Sequence, residues 1–281
     1  MKKRLYKGAL DLSNDAYHND ITRVSKSGLD QLNRSAAHYF AKYLDPNAPP
    51  WKRTEAMDIG SAIHVSVFEP HNFEKMFIAI PTNAPRRPTT AQYMANNPSP
   101  QTIKDIIYWQ KFDKKNIRRE QLKLDEFNLC LRIRDRVYKH PGAATILGKG
   151  GYAENTFHFT EPTTKVKCKF RPDFINKERF IIDLKTTEDA RKNSVMRSII
   201  KYRYDIQDAF YYDGFKLATG EVPEGFIFIF VEKEYPLNVQ LYYISTEDRD
   251  NARRIYIEDL QRYKEAKKLK EWRLRPYNYI N

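Results

Sequence analysis

Two acidic residues and a lysine lie beside apolar runs in the middle of the chain. Asp173 precedes Phe174-Ile175, and Asp183-Leu184-Lys185 continues the run Phe180-Ile181-Ile182. Because side chains alternate across a strand, Asp183 and Lys185 share one face while Leu184 faces the other. Asp173 lies beside them if the two runs pair. Two carboxylates and a lysine that converge on a sheet can hold divalent cations and orient a water molecule, which outlines a phosphodiester-cutting site.

The Asp-x-Lys spacing is weak evidence when taken alone. Average usage of charged residues gives about one such triplet by chance in a chain of this length. A second triplet, Asp113-Lys114-Lys115, lies in a polar stretch with no apolar run around it. The strand-like run before Asp183, with Asp173 on an apolar run of its own, is what favours a metal site at the first triplet.

The composition points to a folded protein with a polyanionic partner. Of the 281 residues, 41% are hydrophobic, and the formal net charge is +13 at pH 7. A basic excess of this size favours nucleic acid. An acidic membrane surface is the rival partner, but no amphipathic basic helix with exposed Trp or Phe stands out. We therefore expect no membrane binding.

Other features of the sequence predict a cytoplasmic location. The longest apolar run, residues 226–231, is too short to span a membrane. The basic residues at positions 2–4 are not followed by an apolar segment, so we expect no signal peptide. Cys130 and Cys168 cannot form a disulfide framework, which suits a reducing compartment.

Apolar periodicity and turn residues predict the order of the elements. Helices are predicted over residues 25–44, 55–68, 102–112, 120–139, 205–219 and 247–272. Strands are predicted over residues 152–159, 165–175, 179–185, 225–232 and 238–245. The basic segment 188–204 is compatible with a helix or a loop, and the proline-rich segment 81–100 predicts an exposed excursion.

This order predicts a single α/β domain over residues 1–281 with a mixed sheet. Residues 1–150 form a mainly helical N-terminal part, residues 151–245 the sheet core and residues 246–281 a C-terminal helix. Three polar residues on the predicted helices have two interpretations. Gln207 and Tyr211 are i and i+4 neighbours that either face the mouth of the sheet or belong to the core. His64, on an otherwise apolar helix, is either a hydrogen-bonded core residue or a ligand.

Four motifs occur in a fixed order: Gly60-x-x-x-His64, Arg171-Pro172-Asp173, Asp183-Leu184-Lys185-Thr186-Thr187 and Gln207-x-x-x-Tyr211. This series resembles the RecB-like branch of the PD-(D/E)XK nucleases, and more closely the C-terminal nuclease domain of RecE-type exonucleases. The resemblance runs from about residue 12 to residue 245. It implies a PD-(D/E)XK core, in which helices flank a central mixed five-stranded sheet and elaborate its N-terminal side.

The resemblance also implies roles for the matching residues. The metal ligands would be Asp173, Asp183, the Leu184 carbonyl and His64. Lys185 would lie near the attacking water, and Gln207 and Tyr211 would support DNA and the site from the adjacent helix. Glu154 has two interpretations. It contacts a metal-bound water or a residue that supports the metal ligands, or it is a structural residue. The implied cofactor is Mg²⁺, as two ions, and an imidazole beside carboxylates also accommodates Mn²⁺.

Two groups of residues are expected to contact DNA. Arg23, Ser25 and Ser27 lie at the start of a predicted helix, where free N–H groups and the helix dipole favour an anion. Related phage exonucleases use an Arg and a Ser in this neighbourhood for a 5′-phosphate, although either serine is equally an ordinary N-cap. The second group follows the lysine motif and would contact phosphates along the DNA path: Arg191, Lys192, Arg197, Lys201 and Arg203.

The resemblance implies a metal-dependent exonuclease that digests double-stranded DNA ends 5′ to 3′ and leaves 3′ single-stranded tails. It further implies that the protein is of phage or prophage origin, acts in DNA recombination and is located in the bacterial cytoplasm. A single-strand annealing protein of the RecT type would be its partner, and the chain would form a homo-oligomeric ring. Two alternatives remain open. One is a restriction-like or structure-selective endonuclease on the same fold, and the other is a DNA-binding protein without catalysis.

Overall fold

The computed structural model describes residues 4–49 and 54–272, and the chain divides into two compact units. The first unit comprises residues 1–52 and 137–281, and the second comprises residues 53–136. The expectation that residues 1–281 form a single domain stays a prediction. The last residues of the predicted C-terminal part, 273–281, lie outside the described residues.

The elements of the described residues follow in chain order. The helices are α1 (Asn14–Asn19), α2 (Lys26–Arg34), α3 (Ala36–Tyr43), α4 (Glu55–Phe68), α5 (Pro70–Met76), α6 (Thr90–Tyr93), α7 (Pro100–Lys115), α8 (Leu124–Lys139), α9 (Pro141–Gly148), α10 (Lys192–Tyr202), α11 (Tyr204–Thr219) and α12 (Thr246–Leu269). The strands are β1 (Phe77–Ala79), β2 (Glu120–Leu122), β3 (Gly151–Ala153), β4 (Phe157–Thr160), β5 (Lys167–Phe170), β6 (Phe174–Asn176), β7 (Phe180–Thr187), β8 (Gly225–Glu232) and β9 (Val239–Tyr242).

The central sheet lies in the first unit and has the strand order β3-β6-β7-β8-β9. Strand β7 runs parallel to β8 and the other neighbours are antiparallel, so the predicted mixed five-stranded sheet is confirmed. Parallel strands need a long crossover, and α10 and α11 supply it between β7 and β8. The pairing of β6 with β7 sets Phe174 opposite Ile182. Asp173 is thereby brought to the level of Asp183.

Helix α11 packs against the phenylalanine-rich strand β8 and against the β4–β5 hairpin. The rings of Phe226 and Phe228 lie 4.6 Å apart in the core beneath it. At Gly214 a Cβ would come within 2.8 Å of Phe159 and Phe170. Only glycine permits this approach, which holds the helix that carries Gln207 close to the β4–β5 hairpin.

The helix predicted over residues 25–44 is two helices, α2 and α3. Ser35 has an extended backbone, its N–H donates to the Gln31 carbonyl, and its Oγ accepts from the His38 N–H. A serine competes well for such capping bonds because its side chain is short and polar. The apolar periodicity continues across this break, so the pattern alone indicates one helix.

Three other predicted elements differ from the observed ones. The strand predicted over residues 152–159 is divided, because Glu154 adopts a left-handed backbone (φ 52°) after β3 and the chain then enters the β4–β5 hairpin. The strand predicted over residues 165–175 is divided into β5 and β6, with residues 171–173 between them. The helix predicted over residues 120–139 begins at Leu124, because the preceding residues pair with β1. The segment 188–204 contains α10.

The second Asp-x-Lys triplet lies at the end of helix α7 in the second unit. Arg87 donates to both carboxylate oxygens of Asp113, at 2.9 and 3.0 Å, and its guanidinium lies 4.0 Å from the centre of the Trp109 ring. Asp113 is therefore part of a structural ion pair. This triplet belongs to the second unit, whereas Asp183-Leu184-Lys185 belongs to the first.

Membrane-spanning helices and cysteine pairing can also be assessed in the described residues. In residues 4–49 and 54–272, no helix combines the length and the apolar character needed to cross a membrane. Cys130 and Cys168 are both free and buried. Neither thiol is linked to the other, which agrees with the expectation that this chain has no disulfide framework.

Candidate active site

Asp183 and Lys185 project from the same face of β7. Lys185 Nζ lies 2.6 Å from Asp183 Oδ2, and the Asp183 residue is only 2% exposed. Burial alone would lower the pKa of Lys185, but the carboxylates of Asp183 and Asp173 outweigh burial and raise that pKa above its ordinary value. Lys185 therefore carries its positive charge at neutral pH, next to two acids.

Asp173 and Glu154 bring two more carboxylate oxygens to this end of the sheet. The backbone N–H of Glu154 donates to the Asp173 carbonyl at 3.0 Å, and one carboxylate oxygen of each lies within 4.8 Å of the other. Asp173 Oδ2 also accepts the Leu184 N–H at 2.8 Å, which orients the Asp173 side chain against β7. Carboxylate oxygens are the ligands that Mg²⁺ and Mn²⁺ prefer, so this donor set fits a hard divalent cation.

Gln207 and Tyr211 reach the site from helix α11. Gln207 Nε2 donates to Asp183 Oδ1 at 2.6 Å, so both oxygens of the Asp183 carboxylate are engaged. The Tyr211 ring packs against Phe170 and Phe226, with centroids 5.2 and 6.0 Å away, and burial raises its pKa well above the ordinary value. Gln207 thus orients an acid of the site, whereas Tyr211 combines a core position with a place on the cleft wall.

Tyr204 contacts the site without having been predicted to do so. Lys185 Nζ lies 4.6 Å from the centre of the Tyr204 ring, which is itself backed by Phe228 at 5.7 Å. An aromatic face attracts a cation by its quadrupole, so the ring helps to hold the ammonium beside Asp183. The only sequence signal was its place three residues before Gln207, and nothing in the spacing indicated contact with Lys185.

A cleft of about 650 Å³ opens over these residues within the first unit. Glu154, Lys185, Gln207 and Tyr211 line it. Its wall also carries a set of basic residues: Lys26, Arg34, Arg171, Lys201 and Arg203. A basic cleft above an acidic cluster can hold a polyanion by its phosphates while the acids bind cations.

Ser25 and Ser27 lie in the same cleft, at the N-terminus of α2. Ser25 is the N-cap, because its Oγ accepts from the Gly28 N–H at 3.4 Å. Ser27 Oγ lies 3.0 Å from Ser25 Oγ and 3.1 Å from the Tyr43 hydroxyl. The capping interpretation therefore holds for Ser25, and Ser27 remains the serine with no capping role.

The remaining basic residues predicted to contact DNA lie elsewhere in the first unit. Arg23 is absent from the lining of the main cleft and pairs with Asp20 at 2.9 Å. Arg191, Lys192 and Arg197 line a separate cavity of about 400 Å³ at the start of α10. Arg191 pairs with Asp189 at 2.8 Å and Arg197 donates to Ser194 at 2.9 Å. Lys201 and Arg203, by contrast, lie on the wall of the main cleft. Contact with DNA stays a prediction for all six.

His64 lies on α4 in the second unit. It is half-buried, and its ring meets Phe68 edge-on with the ring centres 6.1 Å apart. The predicted helix over residues 55–68 is confirmed, since α4 has these bounds. The role of His64 as a metal ligand stays a prediction.

The sequence profile of a family described as a PDDEXK-like domain of unknown function (DUF3799) matches residues 25–276. Among curated proteins, no sequence matches the chain. Among solved structures, a protein from Eubacterium rectale described as a candidate exonuclease is 15% identical, with a TM-score of 0.59 over 92% of this chain and 88% of that one. A phage-related exonuclease from Haemophilus somnus is 13% identical, with a TM-score of 0.33 over 67% of this chain and 91% of that one.

Proposed function

We propose that this chain, which belongs to the PDDEXK-like DUF3799 family, is a metal-dependent exonuclease that digests double-stranded DNA from its ends. The fold agrees with the resemblance to PD-(D/E)XK nucleases. The observation that carries the proposal is the convergence of Asp173, Asp183, Glu154 and Lys185, of which Glu154 and Lys185 line a basic cleft.

The carboxylates of Asp173, Asp183 and Glu154 would hold the divalent cation, which supplies Lewis-acid polarisation of the scissile phosphate. We propose that the site binds two Mg²⁺ ions and that Mn²⁺ can replace Mg²⁺. His64 is a further ligand in this proposal, by the resemblance alone. The donor set is hard and anionic, which suits either ion.

Lys185 supplies a positive charge next to the position proposed for the scissile phosphate. Its ammonium, fixed by Asp183 and by the Tyr204 ring, can donate a hydrogen bond to the attacking water or to a phosphate oxygen. A donor that is already oriented stabilises the charge that develops in the transition state without reorganising. Gln207 holds Asp183 and the Leu184 N–H holds Asp173, so both acids keep their positions during turnover.

We further propose 5′ to 3′ digestion with recognition of a 5′-phosphate at the start of α2. Ser27 supports this step, because it faces the cleft and is not the helix cap. The products would be 3′ single-stranded tails for a RecT-type annealing protein in recombination of phage or prophage origin. On the basis of the resemblance, we also propose that the chain forms a homo-oligomeric ring and acts in the bacterial cytoplasm.

A comparison of linear and circular duplex DNA tests the proposed reaction. With Mg²⁺, wild-type protein should degrade the linear molecule and leave the covalently closed circle intact, and EDTA should stop the reaction. End labels on each strand then report the polarity. Cutting of the circle would assign the site to an endonuclease, and failure to cut either molecule would leave only a DNA-binding protein.

Replacing the aromatic ring of Tyr204 by an aliphatic side chain should slow the reaction without weakening DNA binding. Tyr204→Leu is expected to lower turnover about ten-fold, since a desolvated cation–π contact is worth about 1–2 kcal/mol. Tyr204→Phe keeps the aromatic face and should retain most of the activity. The measurement is the turnover number and KM on linear duplex DNA. Equal losses in both variants would assign the effect to the hydroxyl group and contradict the positioning role.

A further inference from the structure

Helix α10 exposes three large apolar side chains, two on its outer face and one, Tyr202, at its C-terminal end. Met196 is 50% exposed, Ile200 75% and Tyr202 49%. Met196 and Ile200 are four residues apart and so lie on one side of the helix, while Val195 on the inner side is fully buried. Three large apolar side chains left in solvent on one short helix are unusual for a surface that has no partner.

Basic side chains accompany these apolar ones along the same helix. Arg197 and Lys201 each follow an exposed apolar residue in sequence, and both are exposed. Lys201 Nζ lies 5.1 Å from the centre of the Tyr202 ring. The helix contains no Asp or Glu, so the whole outer face combines apolar and positive character. A surface of this kind is complementary to a ligand that has both negative charges and exposed apolar groups.

The outer face of α10 is continuous with the active-site cleft. Lys201 and Tyr202 belong to the lining of the cleft together with Lys185, and Arg197 lines the neighbouring cavity at the other end of the helix. The Tyr202 ring lies 5.7 Å from that of Tyr204, at 30°, and Tyr204 in turn contacts Lys185. A chain bound at the active site therefore has a path along α10.

We infer that the outer face of α10, formed by Met196, Arg197, Ile200 and Lys201, binds unpaired single-stranded DNA rather than duplex, together with Tyr202 at the C-terminal end of the helix. In a duplex the base faces are stacked and hidden, so exposed apolar side chains gain little from it. Unpaired bases stack on aromatic and apolar side chains while basic residues contact their phosphates. The inference rests on the proposed function, because digestion of one strand at a duplex end releases the other strand beside the cleft.

Binding to labelled DNA in EDTA tests this assignment without requiring hydrolysis. The probes are a fluorescein-labelled oligothymidylate and a blunt duplex of equal length, measured by fluorescence anisotropy with the full chain. The double variant Met196→Ser with Ile200→Ser, and separately Tyr202→Ala, should bind the single strand about ten-fold more weakly. Duplex affinity should change less than about two-fold, because phosphate contacts dominate there. Tyr202→Phe should retain single-strand binding.

Val222→Ser is the matched control, since Val222 is 51% exposed on the same unit and lies outside α10. Equal loss of single-strand and duplex affinity, or no loss of either, would overturn the assignment. A fall in oligomeric mass in the double variant, measured by sedimentation, would instead assign the face to a contact between copies and also overturn it. If wild type cuts no DNA but the selective loss is seen, the proposed nuclease activity fails and single-strand binding stands. If wild type digests linear duplex and the loss is not selective, the nuclease activity stands and single-strand binding by α10 fails.

Discussion

Replacing Lys185 by methionine should lower the turnover of linear duplex DNA about 100- to 1,000-fold, the size seen when one oriented donor to a developing charge is removed. Methionine keeps much of the volume of the side chain but has no ammonium group. Asp183, 2% exposed, then loses the partner that lies 2.6 Å from one of its oxygens. DNA affinity should change much less, because Lys185 is one of several positive charges on the cleft wall.

The chain provides a matched control for this substitution in the second Asp-x-Lys triplet. Lys115→Met changes the same residue type at the same spacing from an acid, but on α7, where Asp113 pairs with Arg87. Its activity should equal that of wild type. The measurement is single-turnover cleavage with protein in excess, with DNA affinity determined in parallel in EDTA. Lys185→Met activity above about a tenth of wild type would remove Lys185 from the mechanism.

Replacing Arg249 by methionine should destabilise the first unit by about 3–5 kcal/mol at a pH near 8, because it strips a buried carboxylate of its partner. Arg249 donates through Nε and Nη2 to Asp208, which is fully buried on α11 directly after Gln207. The ion pair joins α12 to the helix that holds Asp183 in place. Loss of stability should therefore be accompanied by loss of activity at lower temperatures than in wild type.

The pH dependence of this loss follows from the pKa of Asp208. Burial raises it to about 6 from an ordinary value of 3.8, although Arg249 acts in the opposite direction. A folded-state pKa above the unfolded one means that the stability contribution is fully present below the unfolded pKa and is lost as pH rises through the folded one. Without Arg249 the folded pKa rises further. The variant should therefore lose more stability at about pH 8 than at about pH 5.

Urea denaturation of wild type and Arg249→Met at the two pH values measures the difference in the free energy of unfolding. Arg253→Met is the comparison, since its partner Asp213 is partly exposed and also accepts from the Tyr256 hydroxyl. It should cost about 1 kcal/mol. Adding Asp208→Asn to Arg249→Met should recover most of the loss at the higher pH. Identical losses at both pH values would show that Asp208 is not the group responsible.

The parts of the site that the sequence predicts are those set by strand alternation. Asp183 and Lys185 share a face of β7 because the period of a strand is two, and Asp173 joins them because β6 and β7 are adjacent antiparallel neighbours. Strand β8 has the predicted bounds, since its apolar run is bordered by Gly225 and Glu232. These features depend on local patterns, which a sequence contains in full.

The parts that the sequence does not predict depend on tertiary contacts or on single backbone angles. The sequence named Glu154 as a candidate but did not predict that Glu154 itself takes a left-handed conformation after β3, beside Asp173. Tyr204 meets Lys185 because the crossover through α10 and α11 returns the chain to β7. The cap at Ser35 interrupts an apolar pattern that continues unchanged on both sides. None of these three has a signature in residue spacing.

The most direct test of the nuclease assignment is the metal dependence of cleavage at the acidic cluster. The measurement is the rate of nucleotide release from end-labelled linear duplex DNA by wild type and by Asp183→Asn, with Mg²⁺, with Mn²⁺ and with EDTA. The proposed site predicts release by wild type with either ion, none in EDTA, and a loss of at least about 100-fold in Asp183→Asn. Release that persists in EDTA, or that is unchanged in Asp183→Asn, would contradict it.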